Sequence, residues 1–172
     1  VFRANYLGAT RSPLNGGVVR APILLRSDYT NDKTFEQFTP RVSISYDLSD
    51  DLTGYLSYSQ GFKSGGFDMR GDVILTPATV NGYEPETVST YEVGLKGSLL
   101  DRRLNFASAL FHSSYEDQQG TTQVPSGASI ASFVDNVGAS TMYGAEFEGS
   151  LVVTDSLRLN GTLGYIKAEF DE

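Results

Sequence analysis

Residues 41–59 read Arg41-Val42-Ser43-Ile44-Ser45-Tyr46-Asp47-Leu48-Ser49-Asp50-Asp51-Leu52-Thr53-Gly54-Tyr55-Leu56-Ser57-Tyr58-Ser59. Val42, Ile44, Tyr46 and Leu48 alternate with Arg41, Ser43, Ser45 and Asp47, and a period of two sends the two sets to opposite faces of a strand. Beyond the polar turn at Ser49-Asp50-Asp51 the chain runs back with Leu56 and Tyr58 on one face and Ser57 and Ser59 on the other. The stretch predicts a β-hairpin with one apolar face and one hydroxyl-bearing face.

The unit recurs twice. Residues 87–99 and 104–115 flank the turn Leu100-Asp101-Arg102-Arg103, and residues 137–153 and 157–170 flank Thr154-Asp155-Ser156. In the second pair Tyr91, Val93 and Leu95 oppose Thr90, Glu92, Gly94 and Lys96. In the third, Tyr143, Ala145 and Phe147 alternate with Gly144, Glu146 and Glu148, and Leu157, Leu159, Leu163 and Tyr165 with Arg158, Asn160 and Thr162. The return strand of the second pair is less regular. Leu104, Phe106 and Leu110 share one face while Phe111 and Tyr115 fall on the other, so a bulge after Ala109 is the expected way to switch phase.

Tight turns contrast with two long connections, residues 64–82 and 116–136. Short connections at one end of a sheet and long ones at the other are the layout of a transmembrane β-barrel. Strand length agrees, because ten residues at ~3.3 Å rise and ~45° tilt climb roughly 23 Å, close to the ~25 Å apolar band of an outer-membrane barrel. Charge on alternate positions cannot face lipid cheaply, so Glu92, Lys96, Glu146, Glu148 and Arg158 are expected to face the lumen. Tyr46, Tyr55, Tyr58, Tyr91, Tyr143 and Tyr165 are expected at the membrane–water boundaries. The fold class expected is all-β, an antiparallel transmembrane β-barrel segment of about six strands with short periplasmic turns and long extracellular loops.

Composition narrows the function. Mean hydropathy is −0.21, and no apolar run approaches the roughly 20 residues of a transmembrane helix; a barrel hides its lipid face in alternate positions. The chain has no cysteine and one histidine, His112, which leaves no thiol nucleophile or cysteine metal site and no multi-histidine centre. The formal charge is −8, with residues 1–33 at +3 and the remainder at −11. The acidic residues lie largely on the serine-rich face or in loops, and no basic stripe suits nucleic acid. Asp68 and Asp72 lack the ligand series of a calcium loop, so no metal site and no cofactor are expected. Glu84 and Glu86 are close enough in sequence for a glycosidase pair, but nothing marks a raised pKa or a cleft, and no enzyme is expected.

Several blocks resemble a known family. Ser57-Tyr58-Ser59-Gln60-Gly61-Phe62-Lys63-Ser64-Gly65-Gly66-Phe67, Tyr83-Glu84-Pro85-Glu86-Thr87 leading to Tyr91-Glu92-Val93-Gly94-Leu95-Lys96, Asn136-Val137-Gly138, and Tyr143-Gly144-Ala145-Glu146-Phe147-Glu148 are similar, in order and spacing, to barrel strands of TonB-dependent outer-membrane receptors. The resemblance covers about residues 38–170. It implies a barrel of about 22 strands with a plugged lumen, of which residues 34–172 are a part and residues 1–33 an extracellular loop and strand lead-in. Neither the plug domain nor the TonB-contacting box has a counterpart here, so the sequence reads as an internal piece. The implied function is uptake of a scarce ligand such as a ferric siderophore, with TonB-driven remodelling of the plug, in the outer membrane. The implied partners are outer-membrane lipid, the plug of the same chain, the TonB complex and the small-molecule ligand. Alternatives are a small passive outer-membrane barrel or adhesin, and a soluble glycan-binding β-sandwich.

Glycines and loops complete the reading. Gly65-Gly66 is expected to supply positive φ where a strand leaves the membrane. Pro85 suits the rim where a strand begins, and Gly94, Gly144, Gly161 and Gly164 are expected where another backbone or a bend comes close. Binding residues concentrate on loops held by a rigid scaffold, and Phe67, Arg70, Tyr83 and Gln119 are the loop candidates for ligand contact.

Overall fold

Alternation becomes a meander in the computed structural model, which describes residues 2–8, 24–69, 71–126 and 129–171. The strands are β1 (Phe2–Gly8), β2 (Leu24–Asn31), β3 (Arg41–Ser49), β4 (Leu52–Lys63), β5 (Glu86–Leu99), β6 (Leu104–Glu116), β7 (Gln119–Ser126), β8 (Ser129–Asn136), β9 (Ala139–Thr154) and β10 (Leu157–Asp171). The chain divides into two units. One comprises Gln37–Lys63, Thr87–Gln118 and Gly138–Glu172, and the other Val1–Glu36, Ser64–Glu86 and Gln119–Val137.

The first unit is a six-stranded sheet in the order β10-β9-β6-β5-β4-β3. Apart from the β7–β8 excursion, neighbours in the sheet are neighbours in sequence, with tight turns joining β3 to β4, β5 to β6 and β9 to β10. The expected bulge after Ala109 is absent: β6 pairs in continuous register with β5 from Leu104 to Glu116 and with β9 from Leu104 to Tyr115. Phe111 therefore stays on the polar side, where it covers Gly144. A Cβ there would lie 2.3 Å from the Tyr165 carbonyl oxygen and 2.7 Å from the Phe111 Cζ, so the glycine makes room for a neighbouring backbone and for the ring.

Registers sort the faces. Tyr91, His112, Tyr143 and Lys167 form one cross-strand row, Val93, Leu110, Ala145 and Tyr165 the next, then Leu95, Ser108, Phe147 and Leu163, and finally Leu99, Leu104, Leu151 and Leu159. On β3 and β4, Val42 pairs with Tyr58 and Ile44 with Leu56. The rings of Tyr58 and Tyr91, 4.9 Å apart, link these strands to the same face. This face is uncovered on the inner strands as well: Leu110 is 58% exposed, Tyr91 57% and Val93 51%. Burying one such side chain is worth about 1.5–3 kcal/mol, and an apolar face of this extent suits the lipid side of a barrel wall.

The three short turns are fastened to one another. Leu100, Asp101 and Arg102 all adopt left-handed φ, 56°, 54° and 64°, which costs each non-glycine residue roughly 1–2 kcal/mol. Their neighbours hold them. Arg102 Nε donates to Asp51 Oδ1 at 3.2 Å, while Arg103 Nε donates to the Val152 carbonyl at 3.0 Å and its Nη2 to that of Val153. Backbone bonds from Ser98 to Asp51 and from Val152 to Arg103, both 2.8 Å, complete the stitching.

The second unit contains two hairpins, β1–β2 and β7–β8, with a 3-10 turn at Pro77–Asn81. The connection at 116–136, expected as a loop, is thus largely a hairpin. Its apolar centre is Ala131 and Phe133 on β8, 7% and 8% exposed. Polar bonds carry much of the rest. Buried Ser27 donates through Oγ to the Gly71 carbonyl at 2.7 Å and accepts from Val73 N at 3.2 Å, and Asn31 Nδ2 donates to the Val80 carbonyl at 2.7 Å.

Gly65 and Gly66 do not take the positive φ expected of them. Gly65 is required by crowding instead: a Cβ would sit 2.3 Å from the Tyr83 carbonyl oxygen, across the backbone bridge that joins Gly66 to Tyr83. Positive φ falls at Gly82 and Gly138.

Candidate functional site

Two surfaces carry the polar chemistry, and each lies within one unit. On the sheet, the face opposite the aliphatic one presents Glu92, Phe111, Gly144 and Ile166 in one row, Gly94, Ala109, Glu146 and Gly164 in the next, and Lys96, Ala107, Glu148 and Thr162 in a third. Arg158 follows on β10, on the same face as Asn160 and Thr162. All five charged candidates therefore share one face. With strands ~4.8 Å apart, Lys96 and Glu148 stand roughly 10 Å from each other across Ala107. The small residues Ala107 and Ala109 on β6 leave a groove of about 320 Å³ on this face. Tyr55 and Glu92 line one side, Glu146 and Glu148 the other, and Thr162 and Gly164 its far edge.

Tyr55 keeps the phase that alternation gives it, beside Ser57 and Ser59. It was expected in the aromatic belt, but it pairs with Ser45 on the polar face and donates its hydroxyl to Glu92 Oε1 at 2.7 Å. Gly94 makes this possible, since a Cβ at that position would meet the Tyr55 ring at 2.3 Å. A tyrosine hydroxyl pointing into hydrocarbon would lose its hydrogen bond, whereas here it has a carboxylate. The clue in the sequence was a glycine flanked by Glu92 and Lys96, but only the β4–β5 pairing shows which ring fills the gap.

In the second unit the loop candidates are largely committed to holding the loops together. Gln119 donates through Nε2 to the carbonyls of Ser64, 3.0 Å, and Glu84, 3.1 Å, and through its backbone N to Glu86 Oε2 at 3.0 Å. Asn136 exchanges bonds with Glu84, accepting from its N at 2.8 Å and donating to its carbonyl at 3.1 Å. Phe67 rests against Gly82, and Tyr83 against Gly66. Arg70 lies outside the described residues.

The carboxylates considered for other chemistry are also engaged. Asp68 is buried and accepts the Val134 N–H at 2.9 Å, while Asp72 Oδ1 accepts from Ile74 N at 3.0 Å and closes its own turn. Lys33 pairs with Glu84, and Glu86 Oε2 accepts the Gln119 N–H. Tyr29 OH lies 3.4 Å from the Thr79 carbonyl, and burial, with the Asp68 carboxylate adding to it, holds its pKa above the usual tyrosine value.

Comparison with known proteins places this geometry. A family model described as "TonB dependent receptor-like, beta-barrel" matches residues 10–172. The metal-pseudopaline receptor CntO of Pseudomonas aeruginosa is 30% identical over 95% of this chain and 20% of its own length. The ferripyoverdine receptor of the same species is 31% identical over 67% of this chain and 14% of its own length. The chain thus spans about a fifth or less of these relatives. Among solved structures, the ferric-catecholate import receptor Fiu of E. coli superposes with a TM-score of 0.61 at 21% identity, covering 98% of this chain and 24% of that one, a likeness of fold.

Proposed function

The chain belongs to the TonB-dependent receptor-like β-barrel family, and from that premise we propose that the full-length protein is an energy-coupled receptor that takes up a scarce ligand, such as a ferric siderophore. The family's barrels lie in the bacterial outer membrane and its members are transport receptors. The observation that carries the proposal is the two-faced sheet, apolar on one side and set with Glu92, Lys96, Glu146, Glu148 and Arg158 on the other. A barrel wall with lipid outside needs the first face, and a lumen filled by a plug uses the second for hydrogen-bonded charge pairs.

Ligand meets the loop unit, where Phe67, Tyr83 and Arg70 are the contact candidates and Gln119 serves to hold the loops. Plug remodelling, driven by the TonB complex through parts of the protein beyond this stretch, then opens the path. The work is binding and displacement, not bond chemistry. Names of relatives that include metal-pseudopaline and ferripyoverdine receptors favour a metal chelate over a sugar or a vitamin.

The test is growth. Iron-limited cells stripped of their own siderophore receptors and expressing the full-length protein should grow on at least one of a panel of ferric siderophores. Growth on none of them, with binding of haem or cobalamin instead, would overturn the ligand class.

A further inference from the structure

We infer that Tyr55 is a positioning residue that presets the Glu92 carboxylate for a donor or cation presented by the plug. This rests on the plug-contact reading above. The two residues are 37 positions apart on neighbouring strands β4 and β5, and their 2.7 Å bond runs along the polar face. A carboxylate on a free strand surface samples several rotamers, and fixing it before a partner arrives removes that entropy from the cost of association.

Three features make the arrangement a built one. Gly94 clears the space for the Tyr55 ring, whose atoms fill what would be its side-chain position at 2.3 Å. The bond engages Glu92 Oε1, and a carboxylate has two oxygens, so Oε2 remains for a second donor. Ala107 and Ala109 keep the floor of the groove low, so that Glu92 faces open space toward Glu146 and Glu148. A hydrogen bond to a charged acceptor is also stronger than one between neutral groups, which suits an orienting role.

The experiment uses the full-length receptor in outer membranes and follows the initial rate at which a protease cleaves the plug in sub-denaturing urea. Barrel integrity is checked in parallel by the heat-dependent shift in gel mobility. Tyr55→Phe keeps the ring over Gly94 and removes only the hydroxyl, so a packing role would leave the cleavage rate unmoved. Cleavage should rise about two- to tenfold in Tyr55→Phe, the range a net hydrogen bond supplies. It should rise at least as much in Glu92→Gln, and the double variant should be no faster than Glu92→Gln alone, with barrel mobility unchanged throughout. Wild-type cleavage in Tyr55→Phe beside a fast Glu92→Gln, or rates that multiply in the double variant, would overturn the positioning role while leaving plug contact standing. Wild-type cleavage in Glu92→Gln would overturn the contact of Glu92 with the plug, and the positioning role with it.

Discussion

Leu163→Arg and Thr162→Arg, neighbours on β10, test which face of the sheet meets apolar surroundings. Leu163 belongs to the row Leu95, Ser108, Phe147 and Leu163, four residues along the strand from the Tyr91–Tyr143 row and four from the Leu99–Leu159 row. At ~3.3 Å rise and ~45° tilt each step of four residues is roughly 9 Å of depth, which puts Leu163 near the middle of the hydrocarbon. An arginine on the lipid face there costs about 2–4 kcal/mol, or roughly 30- to 900-fold in the folding equilibrium. Thr162 faces the other way, in the row of Lys96 and Glu148, where the guanidinium stays hydrated and the cost should remain within about 1 kcal/mol. The assay is reversible urea unfolding of the full-length receptor refolded into lipid vesicles. Equal costs at the two positions, or a greater one at Thr162, would refute the assignment of faces and the barrel wall built on it.

Replacing Glu146 and Glu148 together by Ala should raise plug cleavage by protease several-fold without altering barrel assembly; unchanged protection would remove them from the plug interface. Gln119→Ala deletes two side-chain bonds to the Ser64 and Glu84 carbonyls, a loss of about 1–3 kcal/mol to the loop unit, and should increase nicking of the 64–86 segment by protease added to intact cells. Tyr29 titrates above its usual value because burial and Asp68 disfavour its phenolate. The stability it contributes is therefore fully present below the unfolded-state pKa near 10.0 and is lost as pH rises through the folded value. Phenolate absorbance at high pH should lose one late-titrating tyrosine in Tyr29→Phe.

Much of the sheet was legible because its faces differ so sharply. Val42, Ile44, Tyr46 and Leu48 against Arg41, Ser43, Ser45 and Asp47 leave a single phase in which the strand makes sense, and the acidic tips Asp50, Asp101 and Asp155 fall at the three short turns. The hairpin in 116–136 was hidden because Gln119-Gly120-Thr121-Thr122-Gln123 is polar on both faces, although Ala131 and Phe133 on β8 carried a short apolar alternation. Phe111 and Tyr55 misled for one reason. Alternation had both on the polar face, and a large ring there looks out of place until a glycine on the neighbouring strand is seen to receive it, as Gly144 and Gly94 do in the final register. The roles of Gln119 and Asp68 depend on partners 33 to 66 residues away, a distance over which local pattern carries no information.

The measurement closest to the central claim is the initial rate of uptake of a radiolabelled ferric siderophore, the one that supports growth, by cells expressing the full-length receptor with and without TonB. The account predicts that surface binding is the same in both and that accumulation falls to background when TonB is absent. Accumulation that continues without TonB would contradict energy-coupled transport and make the barrel a passive pore.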